Sequence, residues 1–266
     1  MKVLILAGGY GTRLARDLEN HADAYPHLVG VAKPLLPVAG QPLISHWMDM
    51  LRQCPQTYNI KEIYIVVNEA FRGQFETWRS DYPEVELVCD GTHCNEERVG
   101  AVGCIELGMR HFSIHDDLVV IGGDTLFRED FNLTDFLESF HTSPCREVGG
   151  AMAPCYKCKD EDTVKLGIVE VDDNEQVTSF LEKPSPHSTA SRLACPCFYI
   201  FSSGCLELIS QFLEEKKTGP VSDRDATGLF IKYLSSRRPV YVKEISGRFD
   251  VGNLQSYLDC IKHFKP

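Results

Sequence analysis

The chain has 266 residues, 43% hydrophobic and 24% charged, the balance of an ordinary globule large enough for one sizeable α/β unit. A net charge of −11 excludes the basic field that non-specific nucleic-acid binding requires, although an acidic protein can still carry a locally basic pocket. The apolar run after Met1 and Lys2 is too short for a signal peptide and no stretch approaches a membrane span, so a cytoplasmic protein without a membrane partner is expected.

In chain order, the pattern predicts a strand over 2–6 and a helix over 42–53 with apolar Leu43, Trp47, Met50 and Leu51 on one side. A strand over 62–67, a helix over 71–80 and a strand over 85–88 follow. A helix over 100–110 (Val102, Ile105, Leu107, Met109) and a strand over 118–121 complete the first half. Strands that are apolar throughout are buried on both faces, and their alternation with helices is that of a wound sheet. Beyond Asp124 strands predominate. A helix over 132–141 precedes strands over 148–153, 166–171, 177–181 and 198–201. Helices over 203–216 and 223–235, a strand over 240–245 and a helix over 254–264 close the chain. The fold class is therefore α/β, Rossmann-like, with a mixed and mostly parallel central sheet, helices on both faces and a strand-rich second half. No repeat, low-complexity tract or linker interrupts the chain, so 1–266 reads as a single domain.

Gly8, Gly9 and Gly11 follow the first strand, where a glycine turn typically brings backbone N–H groups against phosphate. Two familiar versions fail here. GxxxxGK[ST] is absent, and Leu14 stands where a GxGxxG fingerprint needs its third glycine. Taken alone, the stretch is compatible with a tight turn next to an incidental Arg13.

The ordered set of motifs says more. Leu6-Ala7-Gly8-Gly9-Tyr10-Gly11-Thr12-Arg13-Leu14 is followed by Lys33-Pro34-Leu35-Leu36-Pro37-Val38 and Gln41-Pro42-Leu43-Ile44. Glu97-x-x-Gly100-Ala101-Val102-Gly103, Gly123-Asp124, Gly167-Ile168-Val169, Glu182-Lys183-Pro184 and Asp250-Val251-Gly252 come next. Across nearly the whole chain this resembles the sugar-1-phosphate nucleotidylyltransferases, which join an NTP and a sugar 1-phosphate into a nucleotide sugar and pyrophosphate. The resemblance implies a nucleotide-binding half, 1–130, and a sugar-phosphate-binding half, 131–266. It also implies that Leu6, Ala7, Gly8, Gly9, Gly11 and Thr12 cradle the NTP, while Arg13 and Lys33 neutralise its phosphates. Gly100 and Gly103 would admit the base, with Glu97 accepting from a ring N–H, a role that suits uracil, thymine or guanine. Gly167, Glu182, Lys183 and Cys197 fall at the sugar phosphate, and Asp124 and Asp250 would hold Mg²⁺. UTP or dTTP with glucose 1-phosphate is the leading substrate pair. A guanylyltransferase acting on mannose or heptose 1-phosphate and a non-catalytic regulatory subunit are the alternatives.

The chemistry is consistent with these residue types. A sugar-phosphate oxygen is already an anion at neutral pH and needs no base to attack phosphorus. Catalysis then reduces to positioning and neutralisation of developing charge, which cations and a metal-holding carboxylate pair supply.

This chain departs from the family pattern in three places. Asn-Ala-Gly of the sugar-site strand is replaced by Cys195-Pro196-Cys197, and Arg248 stands where the family has tryptophan. Lys33 comes unusually late, and the extra residues within 15–32 suggest a surface loop or short helix acting as a lid over bound NTP. Eleven cysteines, an odd number without a framework, read as reduced thiols. Cys155-x-x-Cys158 with Cys195-x-Cys197 leaves a zinc site open against semi-buried thiols. No C-terminal β-helix domain is expected, and a homo-oligomer remains open.

Overall fold

The computed structural model describes residues 1–60, 62–128, 130–249 and 251–264. Asp250, one of the two expected metal carboxylates, lies outside the described residues.

A ten-stranded sheet organises the chain. Its strands are β1 (Lys2–Ala7), β2 (Ile63–Val67), β3 (Val85–Cys89), β4 (Leu118–Gly122), β5 (Ala151–Lys157), β6 (Gly167–Val171), β7 (Val177–Glu182), β8 (Leu193–Cys195), β9 (Phe198–Phe201) and β10 (Val240–Glu244). Across the sheet the order is β7-β6-β8-β5-β9-β4-β1-β2-β3, with β10 pairing parallel to β5. The first-half strands β3, β2, β1 and β4 are all parallel, in the order of a nucleotide-binding doubly wound sheet. At β9 the direction reverses, because β9 runs antiparallel to both β4 and β5. The sheet is mixed, as expected, with a parallel nucleotide half and a largely antiparallel second half.

Ten helices flank it among the described residues: α1 (Thr12–Asn20), α2 (Leu43–Gln53), α3 (Arg72–Arg79), α4 (Ala101–His111), α5 (Leu133–Thr142), α6 (Pro144–Glu147), α7 (Glu207–Lys216), α8 (Ser222–Asp225), α9 (Thr227–Ser235) and α10 (Leu254–His263). Side chains alternate across each strand, so β1 sends Leu4 to one face and Val3 and Ile5 to the other. On the first face Leu4, Val66 and Val120 pack with Val102 and Ile105 of α4 and with Phe212 and Phe230 of α7 and α9. On the second, Val3, Ile5 and Ile65 pack with Trp47, Phe75, Phe136 and Phe140 from α2, α3 and α5. All of these side chains are fully buried, the burial that drives such layers together at about 25 cal/mol per Å² of apolar surface.

Several sequence-based boundaries shift for identifiable reasons. The strand expected over 148–153 begins at Ala151, because Gly149 takes a positive φ of 75° and Gly150 hydrogen-bonds Cys145 and receives Ser202. The helix expected over 223–235 is broken at Ala226, whose extended ψ of 131° separates α8 from α9. The 203–216 helix opens as a 3-10 turn, Ser203–Cys205, before α7. The short strand β8 carries no alternation long enough to be read from sequence.

The 15–32 segment is not a lid. Leu18 and Leu28 are buried in a third apolar cluster with Leu254 and Tyr257 of α10. Asp17 accepts from the Leu254 N–H at 3.2 Å. Gln74 of α3 holds the other end, accepting from the Ala32 N–H at 2.9 Å and donating to the Gly30 carbonyl at 2.7 Å. The extra residues form a bracket that ties the glycine turn to α10 and α3.

Candidate active site

The carboxyl ends of β1, β3 and β4 converge on a cavity of about 510 Å³, the edge at which open α/β sheets bind ligands. The glycine turn forms one wall through Leu6, Ala7, Gly8, Gly9, Gly11 and Thr12. Its carbonyl at Gly8 is fixed by the buried Asn68 side-chain amide, which donates at 3.0 Å. Gly11 adopts a φ of 57°, and a Cβ there would stand 3.3 Å from the Lys33 Cβ. Both the left-handed backbone and the close lysine favour glycine. Arg13 follows at the start of α1 and lines the same cavity.

Lys33 reaches the cavity from the end of the bracket, and its Nζ lies 2.6 Å from Asp124 Oδ2. The Lys33 ammonium, then burial acting in the opposite sense, then Arg248, hold the Asp124 carboxyl below the usual aspartate range, with the net effect downward. The turn carrying Asp124 is anchored from beneath. Trp47 of α2 donates its indole N–H to the Thr125 carbonyl at 2.7 Å and stacks on Phe198 of β9. Thr125 Oγ1 is buried without a hydrogen-bond partner among the described residues.

At the other end stand Gly167 of β6 and Glu182 of β7. Burial pushes the Glu182 carboxyl above the usual glutamate range, with Lys183 pulling the other way. Cys197 also lines the cavity, and burial pushes its thiol up to about 12. The nearby Tyr199 hydroxyl meets Thr227 Oγ1 at 3.0 Å. Arg248 is a wall residue too, donating from Nε to the Tyr156 hydroxyl at 3.2 Å, rather than the solvated charge its sequence context favours.

Three expected site residues are not brought into this cavity. Glu97 is outside the cavity lining, where its Oε2 accepts from the His93 N–H at 2.8 Å. Gly103 lies against Val99 and lines a neighbouring pocket with Glu106 and Leu107. Lys183 has a positive φ of 50° and an exposed ammonium 3.8 Å from Glu182, outside the lining. Lys165 is the cation that lines that end. Sequence reasoning also missed Asp90, Arg98 and Asp225, all of which line the cavity. Asp90 was the findable one, since it ends the parallel strand β3 as Asp124 ends β4. Among the described residues no group of three or more His, Cys, Asp or Glu is placed to hold a metal. No helix among them is long and apolar enough to cross a membrane.

A parallel sheet with a glycine turn, two cations and a strand-end aspartate at its carboxyl edge has the arrangement of a nucleotide-binding α/β fold. The chain belongs to the nucleotidyl transferase family, whose model matches residues 2–265. It is 24% identical over 264 residues to the bifunctional protein GlmU of Methanocaldococcus jannaschii, covering 99% of this chain and 54% of that protein. It is 28% identical over 233 residues to the low-salt glycan biosynthesis nucleotidyltransferase Agl11 of Haloferax volcanii, covering 85% and 56%. A UTP–glucose-1-phosphate uridylyltransferase of Synechocystis is 25% identical over 268 residues, with 98% and 63% covered. The chain thus spans about half the length of the first relatives it matches. In fold it is similar to a crystal structure of UDP-glucose pyrophosphorylase complexed with UDP-glucose, with a TM-score of 0.71 at 17% identity over 99% of this chain and 97% of that one.

Proposed function

We propose that this chain transfers the nucleotidyl group of an NTP to a sugar 1-phosphate and releases pyrophosphate. The observation that carries this reading is the convergence of Arg13, Lys33 and Asp124 between the glycine turn and a second, antiparallel end holding Gly167 and Glu182 in one cavity. Arg13 and Lys33 would lie along the triphosphate and take up charge as pyrophosphate departs. Glu182 would accept from sugar hydroxyls, and Lys165, with Lys183 at the rim, would meet the sugar phosphate. The phosphate oxygen of the sugar attacks the α-phosphorus while the walls hold both reactants in line.

Mg²⁺ fits this donor set, because it is bound largely by phosphate oxygens and water and asks only one or two carboxylates of the protein. Asp124 is one such carboxylate, and Asp250 would be the other. When bound, the ion would neutralise charge on the phosphates and orient them. Lys33, paired with Asp124, would be placed to meet the phosphates.

Glucose 1-phosphate is the favoured acceptor, since uridylyl- and thymidylyltransferases named for it are among the relatives. UTP or dTTP is the matching nucleotide expectation, and Glu97, which suits uracil, thymine or guanine alike, does not choose among them. The base is taken up below. The test is pyrophosphate release from a matrix of NTPs and sugar 1-phosphates with Mg²⁺. Release that requires both substrates supports the reading, and folded protein inert with every pair rejects it.

A further inference from the structure

The nucleotide end of the cavity is the one bounded by the parallel strands, and its polar groups are unusually specific. Asp90 follows β3, with its Oδ1 engaged by the Thr92 N–H and Oγ1, both at 2.8 Å. Its Oδ2 faces the glycine turn, 3.1 Å from where a Cβ on Gly8 would be. Asp225, the last residue of α8, arrives from the second half of the chain. Its Oδ2 receives the Arg98 Nε–H at 3.0 Å, and its Oδ1 lies 3.4 Å from where a Cβ on Gly100 would be. Arg98 Nη1 is spent on the Asn95 carbonyl at 3.0 Å, while Nη2 has no hydrogen-bond partner among the described residues. Asp90 and Asp225 line the same cavity, beside Gly8 and Gly100 respectively. This end therefore offers two acceptor oxygens from separate carboxylates and one guanidinium donor.

We infer that the base read by Asp90, Asp225 and Arg98 is guanine. Among the common bases only guanine carries two adjacent donors, N1–H and N2–H₂, beside a carbonyl acceptor, O6, on one edge. The donors would satisfy the two carboxylates and O6 would accept from Arg98 Nη2. Uracil and thymine present one ring N–H between two carbonyls, and one carbonyl would then face a carboxylate. Adenine and cytosine present one amino group beside ring-nitrogen acceptors, with the same conflict. A carbonyl set against either carboxylate costs binding on the order of 10- to 100-fold.

This inference rests on the nucleotidyl-transfer reading, and the experiment separates the two. Dissociation constants for GTP, ITP, UTP, dTTP, ATP and CTP would be measured by calorimetry on the full chain with Mg²⁺. ITP is guanine's nucleotide without the N2 amino group. The expected result is GTP binding about 10- to 100-fold tighter than UTP or dTTP, and at least several-fold tighter than ITP. Asp90→Asn or Asp225→Asn should abolish the preference of GTP over ITP in at least one case. UTP or dTTP binding as tightly as GTP, or GTP no better than ITP, overturns the guanine assignment and leaves nucleotidyl transfer standing. Folded protein that binds no NTP overturns both.

Discussion

Lys33 and Asp124, 91 residues apart in the chain, share a 2.6 Å ion pair in the cavity. The late lysine of the sequence is thus delivered to the end of β4 by the bracket that delays it. Lys33→Met removes a preorganised cation at the phosphates and should lower kcat by about 10²–10³, with a smaller change in KM. Arg13→Met should do likewise. Steady-state pyrophosphate release measures both, and near-normal turnover in either variant would remove that residue from the phosphate site.

Glu182 supplies a pH test. Burial raises its carboxyl pKa, so the folded state favours the protonated form and loses stability as pH rises through that shifted range. Glu182→Gln should therefore melt higher than wild type at pH 8. The gap should narrow at pH 4–5, where wild type takes up its proton. Thermal melts at the two pH values decide it, and a gap that widens on acidification contradicts the burial argument. The same variant should lose activity, since the carboxylate is placed for the sugar.

Gly100 combines a φ of 85° with an Asp225 Cα only 2.9 Å from where its Cβ would be. Gly100→Ala should cost about 1–3 kcal/mol from the backbone alone and displace α8 from α4. Urea titration gives the first quantity. A raised KM for NTP, without a matching change for sugar phosphate, gives the second.

Trp47 reaches the Thr125 carbonyl through its indole and is fully buried. Trp47→Phe keeps an aromatic ring but leaves that carbonyl unsatisfied, at a cost of about 1–3 kcal/mol. Because the turn beneath Asp124 loosens, kcat should fall as well. Wild-type turnover in a destabilised variant would show that the anchor serves stability alone.

Leu28→Ala tests the bracket. A buried leucine trimmed to alanine should cost about 2–5 kcal/mol, whereas the tip of a mobile lid would tolerate it. Proteolysis within 15–32 should be slow with or without NTP.

Much of this was legible in the sequence, for reasons that differ by residue. The apolar runs at Val119–Val120 and Ile63–Val66 announce parallel strands because both faces of those strands are covered. The glycine turn, Arg13, Lys33 and Asp124 were legible through the resemblance of the ordered motifs, since each alone reads as a turn or a surface charge, and all of them line one cavity. Asp225 and Arg98 were not, since their meeting depends on α8 crossing to α4, which no local pattern encodes. Spacing identified the loop of Glu97 and the helix start before Gly103, but whether either lines the cavity is set by packing. The bracket read as a lid because a polar stretch between two site motifs carries its few leucines at intervals too sparse to reveal a buried face.

The contact between Asp17 and the Leu254 amide spans 237 residues. On a ribosome, the segment that seats the glycine turn would wait for α10 to emerge before its apolar cluster could close. A nascent chain short of α10 should therefore hold its parallel sheet before it can seat that turn.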